Sequence, residues 1–211
     1  MIPLIIRLKR QVHRDVAKAQ DLIVAALYSV FHDAVLHGGT AIWRCYQGNR
    51  FSEDIDTYLS RDLTKIQQFF THLEKQGFGI EKKKIGERSI YSQLRFDRTV
   101  VRFEAIFKKI DGHLKEYETV EGNIITVYTL TPKEFIEEKI AAYLNRRKIR
   151  DLYDIFFLLR HVSGASSLQT KLQNFFQKFQ QPVDEEDLQI LILEGLVPTT
   201  EKMREYIQRK I

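Results

Sequence analysis

The sequence predicts an α+β protein, with a mixed β-sheet flanked by helices in its first part and an all-helical part after it. Three observations carry that prediction. β-branched and aromatic runs cluster between residues 78 and 130, amphipathic helical periodicity precedes them, and from Thr131 onward only helical spacing recurs. The shift near Thr131 divides the 211 residues into a domain over 1–130 and a helical domain over 131–211. Neither an internal repeat nor a low-complexity tract interrupts this plan.

The elements follow in order. Val12, Val16, Ala19, Ile23, Ala26, Leu27 and Val30 recur at helical spacing and predict a long amphipathic first helix. "DAVLHGG" reads as a short strand running into a glycine turn, and "TAIWRCYQ" as a helix that Thr40 can cap. After the polar turn "GNRFSE", "DIDTYL" has strand composition, and "LTKIQQFFTHLEKQG" is a helix closed by Gly77. Four strands are expected at "FGIEKKKIG", "RSIYSQLRF", "TVVRFEAIF" and "NIITVYTL". "EKKKIGER" is read as a solvated hairpin turn, with an RNA-contacting basic loop as the alternative. Helices are expected at "PKEFIEEKIAAYLN", "IRDLYDIFFLLR", "SSLQTKLQNFFQKF", "DEEDLQILILEGL" and "TTEKMREYIQRK".

Composition narrows the function classes. Lys and Arg number 33 against 28 Asp and Glu, a mild basic excess that favours a polyanionic partner. The single Cys45 excludes an intrachain disulfide and a cysteine-rich zinc site, points to a reducing cytoplasm, and reads as a small buried side chain. The apolar run in "MIPLIIRLKR" is too short for a signal-peptide core, and no stretch approaches the roughly 20 apolar residues of a membrane span, so a soluble cytoplasmic protein without membrane partners is expected. The six histidines form no HExxH pair, and no GxSxG elbow, Walker loop or dinucleotide fingerprint occurs.

Two stretches carry chemistry. In "HGGTAIWRCYQGNRFSEDIDTYL", strand alternation sets Asp54 and Asp56 on one side, about 7 Å apart along the chain. Paired carboxylates at that spacing repel unless a hard cation lies between them, although a solvated strand entrance satisfies the same pattern. Gly38 and Gly39 allow a sharp turn into a helix whose free N–H groups suit a phosphate. Glu104 is a lone acid in an apolar strand, which leaves two readings open, a third metal ligand or a salt bridge to Arg102 on the same face.

The second stretch is "EEKIAAYLNRRKIRDLYDIFFLL". On one unbroken helix, Lys139, Tyr143, Arg146, Arg150 and Asp154 would fall in a stripe about 80° wide, with three cations able to meet a triphosphate or RNA backbone. The weakly apolar "NRRKIRD" also fits a break between two helices, with Arg150 pairing Asp154 and Asp151 capping the second.

Together these two stretches resemble the AbiEii/AbiGii toxin family, nucleotidyltransferase-like proteins of type IV toxin–antitoxin and phage-defence systems. The resemblance runs through GGTA, RFSEDID, a downstream strand acid and K...R.K.RDLYD, over residues 37 to 160. It implies a DNA polymerase β-like core followed by a helical domain that closes the nucleotide cleft. It implies that Gly38, Gly39 and Thr40 receive nucleotide phosphates, that Asp54 and Asp56 hold metal with Glu104 third, and that Lys139, Arg150, Asp151 and Asp154 serve in the helical domain, Lys139 and Arg150 on phosphates. Thr40 stands where the wider superfamily usually has serine.

A nucleotidyltransferase is therefore expected, using Mg²⁺ or Mn²⁺ to move a nucleoside monophosphate from an NTP to an acceptor such as tRNA or another RNA. Asp54, Asp56, Glu104 and Asp154 are its candidate catalytic residues, and Gly38, Gly39, Thr40, Lys139, Arg146, Arg150 and Asp151 its candidate nucleotide-binding residues. A cognate antitoxin encoded nearby is the expected protein partner. A non-catalytic nucleotide- or RNA-binding module, and a protein phosphotransferase with Asp154 as base, are the alternatives.

Overall fold

A computed structural model of the protein describes residues 3–162 and 168–210. These divide into two compact units, Met1–Thr129 and Leu130–Ile211. The first carries a short helix α1 (Leu4–Arg7), α2 (Gln11–Val30), β1 (Val35–His37), α3 (Gly38–Cys45), β2 (Ile55–Leu59), α4 (Leu63–Lys75) and β3 (Gly79–Ile85). The strands β4 (Ser89–Phe96), β5 (Thr99–Phe107), β6 (His113–Glu118) and β7 (Ile124–Thr129) complete it.

The seven strands form one mixed sheet in the order β3-β4-β5-β2-β1-β7-β6. β1 runs antiparallel to β2 and parallel to β7, and β2 runs parallel to β5. Side-chain alternation sorts the two faces. Val101, Phe103 and Ala105 of β5 are buried on one face, where the Phe69 ring of α4 lies 4.9 Å from that of Phe103. α2 adds Ile23, Val24 and Leu27 to this core, and each such fully buried side chain contributes about 1.5–3 kcal/mol. The intervening residues Arg102, Glu104 and Ile106 remain at least partly exposed on the opposite face.

A buried ion pair ties α2, α3 and β6 together. Arg44, 2% exposed, bonds Asp21, which also accepts Tyr117 Oη at 2.9 Å and the Val120 N–H at 2.6 Å. Burial is the main influence on Asp21 and raises its pKa, although Arg44 pulls the other way. Cys45 is buried and free, and burial pushes its thiol up to about 12.

The elements of the second unit are helices: α5 (Pro132–Arg146), α6 (Ile149–Leu158), α7 (Gln169–Gln177), a single turn α8 (Leu188–Leu191) and α9 (Thr200–Gln208). Thr131 and Glu134 form a capping box at the start of α5, with Pro132 in its first turn. Tyr143 anchors the unit, its ring stacked 5.5 Å from Phe179 and its hydroxyl donating to the Gln180 carbonyl at 2.8 Å.

Several elements differ from the sequence reading. α3 starts at Gly38, two residues before Thr40, so Thr40 lies inside the first turn and does not cap it. "EKKKIGER" is not a turn over its lysines, since Lys82, Lys83 and Lys84 are within β3 and the chain reverses after Ile85. β6 was not expected, because His113, Leu114, Lys115 and Glu116 form an exposed stretch at the sheet edge whose polar composition lacks a strand signal. "DEEDLQILILEGL" gives a 3₁₀ turn over Glu185–Asp187 and the short α8, and the chain extends at Ile192. Ser166 and Ser167, expected at the start of the helix that contains α7, lie outside the described residues. No helix among the described residues is long and apolar enough to cross a membrane.

Candidate active site

The site is built where β1 runs into α3 beside β2. The antiparallel register sets His37 opposite Asp56, and the parallel register of β2 with β5 sets Asp56 opposite Glu104. Directly opposed residues share a face, and i, i+2 alternation adds Asp54 to it. Three carboxylates thus occupy the face not covered by α4.

Glycine permits the closest approach in this arrangement. Gly38 has φ +73°, a left-handed conformation, and a Cβ there would run into the Asp56 carboxylate and stand 2.9 Å from its Cγ. At Gly39 a Cβ would lie 2.6 Å from Arg50 Nη2 and from Ser52 Oγ, so the loop leading to Asp54 packs against the same turn. The buried Thr40 hydroxyl donates to the carbonyl of Asp54. The first turn of α3 therefore fixes both aspartates, one through its backbone and the other through the space that glycine leaves.

Arg102 brings positive charge to the carboxylates. Its Nη2 bonds Asp54, and its Nε lies 3.1 Å from Glu104 Oε1. The hydrogen bond to Asp54 is the largest of the influences that hold the Arg102 pKa above its ordinary value. Burial raises the pKa of Glu104, Asp56 and Asp54 raise it further, and Arg102 and His37 oppose the change. The His37 ring stacks on Tyr58 with centroids 4.0 Å apart, which fixes the approach to Gly38.

The donor set suits a hard cation. All three candidate ligands offer carboxylate oxygen, the donor type of Mg²⁺ and Mn²⁺ sites, and the space at Gly38 holds Asp56 beside a helix N-terminus. Among the described residues, no three His, Cys, Asp or Glu side chains are drawn into one closed ligand set.

The helical unit has its own charged cluster. α5 ends at Arg146 because Arg147 takes the left-handed conformation, φ 51°, so the unbroken helix over 139–154 does not form. Lys139 Nζ lies 2.8 Å from Asp154 Oδ2 and 3.6 Å from Asp151 Oδ1. Arg146 grips Asp151 bidentately at 2.7 and 2.8 Å. Lys139, Asp151 and Asp154 are all buried, so this set is internally neutralised. Arg150 is half-buried and has no carboxylate partner among the described residues. Asp151 does not cap α6, whose first N–H, that of Ile149, donates instead to Asp184 at 2.7 Å.

Sequence reasoning placed Arg102 on the face of Glu104 but missed its bond to Asp54, which needs the β2–β5 register. It also missed Asp184, which is 35 residues from its partner Ile149.

Residues 22–209 match the family model described as AbiEii, nucleotidyl transferase AbiEii toxin, type IV TA system. The crystal structure of JHP933 from Helicobacter pylori superposes with a TM-score of 0.65 at 19% identity, covering 95% of this chain and 92% of that one. A second H. pylori crystal structure, provisionally named a nucleotidyltransferase, gives 0.63 at 19% identity, covering 95% of both chains. At that identity the likeness establishes a shared fold. No curated protein matches the chain.

Proposed function

The chain belongs to the AbiEii family of nucleotidyl transferase toxins of type IV toxin–antitoxin systems, and from that premise we propose that it moves a nucleoside monophosphate from an NTP to a hydroxyl of an RNA acceptor such as a tRNA end, with Mg²⁺ or Mn²⁺ bound. The observation that carries this reading is the register that sets Asp56 opposite Glu104 and beside Gly38, with Asp54 on the same face. The family's toxin–antitoxin character implies a cognate antitoxin.

Asp54 and Asp56, with Glu104 third, would hold the metal. Its chemistry when bound is to neutralise triphosphate charge and to acidify the attacking hydroxyl. The N–H groups at the start of α3 receive phosphate oxygens, and the absence of side chains at Gly38 and Gly39 lets phosphate approach the backbone. The acceptor oxygen attacks the α-phosphorus, a new P–O bond forms, and pyrophosphate leaves with the broken bond's electron pair. Glu104, whose pKa is raised chiefly by burial, is placed to take the hydroxyl proton in the alternative where Asp54 and Asp56 alone hold the metal. Arg102 balances carboxylate charge.

In the helical unit, Arg150 is the cation most available to a phosphate, since Lys139 and Arg146 already bond carboxylates. The burial of Asp154 against Lys139 favours a structural role for it over that of a base in protein phosphotransfer.

The test incubates the protein with labelled NTPs, Mg²⁺ and total RNA. Labelled RNA is expected with wild type and not with Asp54→Ala/Asp56→Ala. Equal labelling by both overturns the proposal. NTP binding that ignores both Mg²⁺ and the two aspartates would support a non-catalytic binding module instead.

A further inference from the structure

The three consecutive lysines of β3 are separated by the sheet. Lys83 is opposite Ser92 on the helix-covered face, and its Nζ lies 4.9 Å from the centroid of the Phe70 ring of α4. Lys84 is opposite Tyr91, Tyr91 opposite Glu104, and Glu104 opposite Asp56. Lys82 is opposite Gln93, which is opposite Arg102. Two rows therefore cross the open face, each running from a lysine on the edge strand to the carboxylate site. With strands about 4.8 Å apart, three strand spacings put Lys84 roughly 14 Å from Asp56.

The chemistry along the rows has a direction. Lys82 and Lys84 are exposed, and neither has a carboxylate partner among the described residues. Tyr91 is part-exposed between them and Glu104, and its hydroxyl accepts from Gln93 Nε2 at 3.1 Å. A β-strand normally carries edge lysines against edge-to-edge pairing. That function does not need a part-exposed tyrosine in the next strand, or register with the candidate catalytic carboxylates. Unpaired cations followed by an aromatic face fit a single nucleic-acid strand, with phosphates held by the lysines and a base stacked on the ring.

We propose that the β3–β4 edge of the open sheet face is the docking track of a single-stranded RNA acceptor, with Lys82 and Lys84 on its phosphates and Tyr91 stacked on one of its bases. The assignment rests on the nucleotidyltransferase reading and adds the route by which the acceptor end reaches Asp56. An acidic protein segment could use the lysines but gains little from Tyr91, so the tyrosine separates the two classes of partner.

The test uses the full chain and a fluorescein-labelled single-stranded RNA of about twelve nucleotides, followed by anisotropy over a range of salt concentrations. Lys82→Ala/Lys84→Ala is expected to weaken binding about tenfold or more at low salt and to reduce the slope of log K against log salt by about 1.4, two contacts at about 0.7 each. Tyr91→Ala is expected to weaken binding about fivefold or more with the slope unchanged. Lys83→Ala provides the control for net charge and should bind as wild type does. The proposal is overturned if the double variant matches Lys83→Ala, or if Tyr91→Ala binds RNA as tightly as wild type, which would leave only a general polyanion surface. Nucleotide transfer is measured in parallel. Wild-type transfer that is unaffected by Lys82→Ala/Lys84→Ala means that this track is wrong and the enzyme reading stands. RNA binding with the expected lysine and tyrosine dependence but no transfer by wild type means the reverse.

Discussion

Replacing Gly38 by alanine should damage both stability and transfer, and Gly77 provides the internal control. Both glycines adopt left-handed backbone, φ +73° and +93°, so alanine at either position meets the same backbone penalty of about 1–2 kcal/mol. The surroundings differ. Nothing lies within 4 Å of a Cβ built on Gly77, whereas one on Gly38 collides with the Asp56 carboxylate and stands 3.0 Å from its Cβ. That crowding adds about 1–3 kcal/mol and turns Asp56 away from Glu104. Gly77→Ala, at about 1–2 kcal/mol, is then expected to lower Tm by about 2–8 °C with transfer unchanged, and Gly38→Ala, at about 2–5 kcal/mol in all, by about 4–20 °C with transfer lost. Differential scanning calorimetry and the labelled-NTP assay read the two effects. Equal melting of the two variants, together with wild-type transfer by Gly38→Ala, would refute the account of how this turn holds Asp56.

Asp21→Ala strands the buried Arg44 and removes the acceptor of Tyr117 and of the Val120 N–H, so urea unfolding should show a loss of about 3 kcal/mol or more, and an unchanged midpoint would contradict the network. Glu104 has a raised pKa, so as pH falls it takes up its proton above the ordinary glutamate range, and Mn²⁺ affinity measured by calorimetry should begin to weaken there. Glu104→Gln should remove that part of the pH profile; an identical profile in the variant would detach the effect from Glu104.

Much of the fold was legible because the signals are local. The periodicity of α2 and α4, the β-branched runs of β4 and β5 and the Thr131–Pro132 start of α5 all report their own backbone state within a few residues. β6 was not legible, since an edge strand can be polar where it faces solvent. The parity of Asp54 and Asp56 could be read from spacing, and Glu104 drew attention as an acid among apolar neighbours. What spacing could not supply is register. The opposition of Asp56 to His37 and Glu104, and the bond of Arg102 to Asp54, join residues as far as 48 positions apart in the chain. Thr40 was misread for a related reason. Its hydroxyl binds a loop carbonyl 14 residues away, and no helix-start rule contains that partner.

The hold of α3 on Asp54 and Asp56 also bears on how this chain can vary over evolutionary time. Thr40 grips the far end of the segment that follows the helix, so the length of that segment is decoupled from the position of the acids. Insertions near Gln47, an exposed residue with φ 56°, would be absorbed as a larger bulge, while the acids keep their place against the helix. Changes within residues 38–40 have no such slack, because Gly38 abuts the Asp56 carboxylate, Gly39 abuts Arg50 and Ser52, and Thr40 bonds the Asp54 carbonyl. Related chains should therefore differ in length near Gln47 and hardly at all in the turn, and a lineage that loses the turn would lose its hold on both aspartates in a single step.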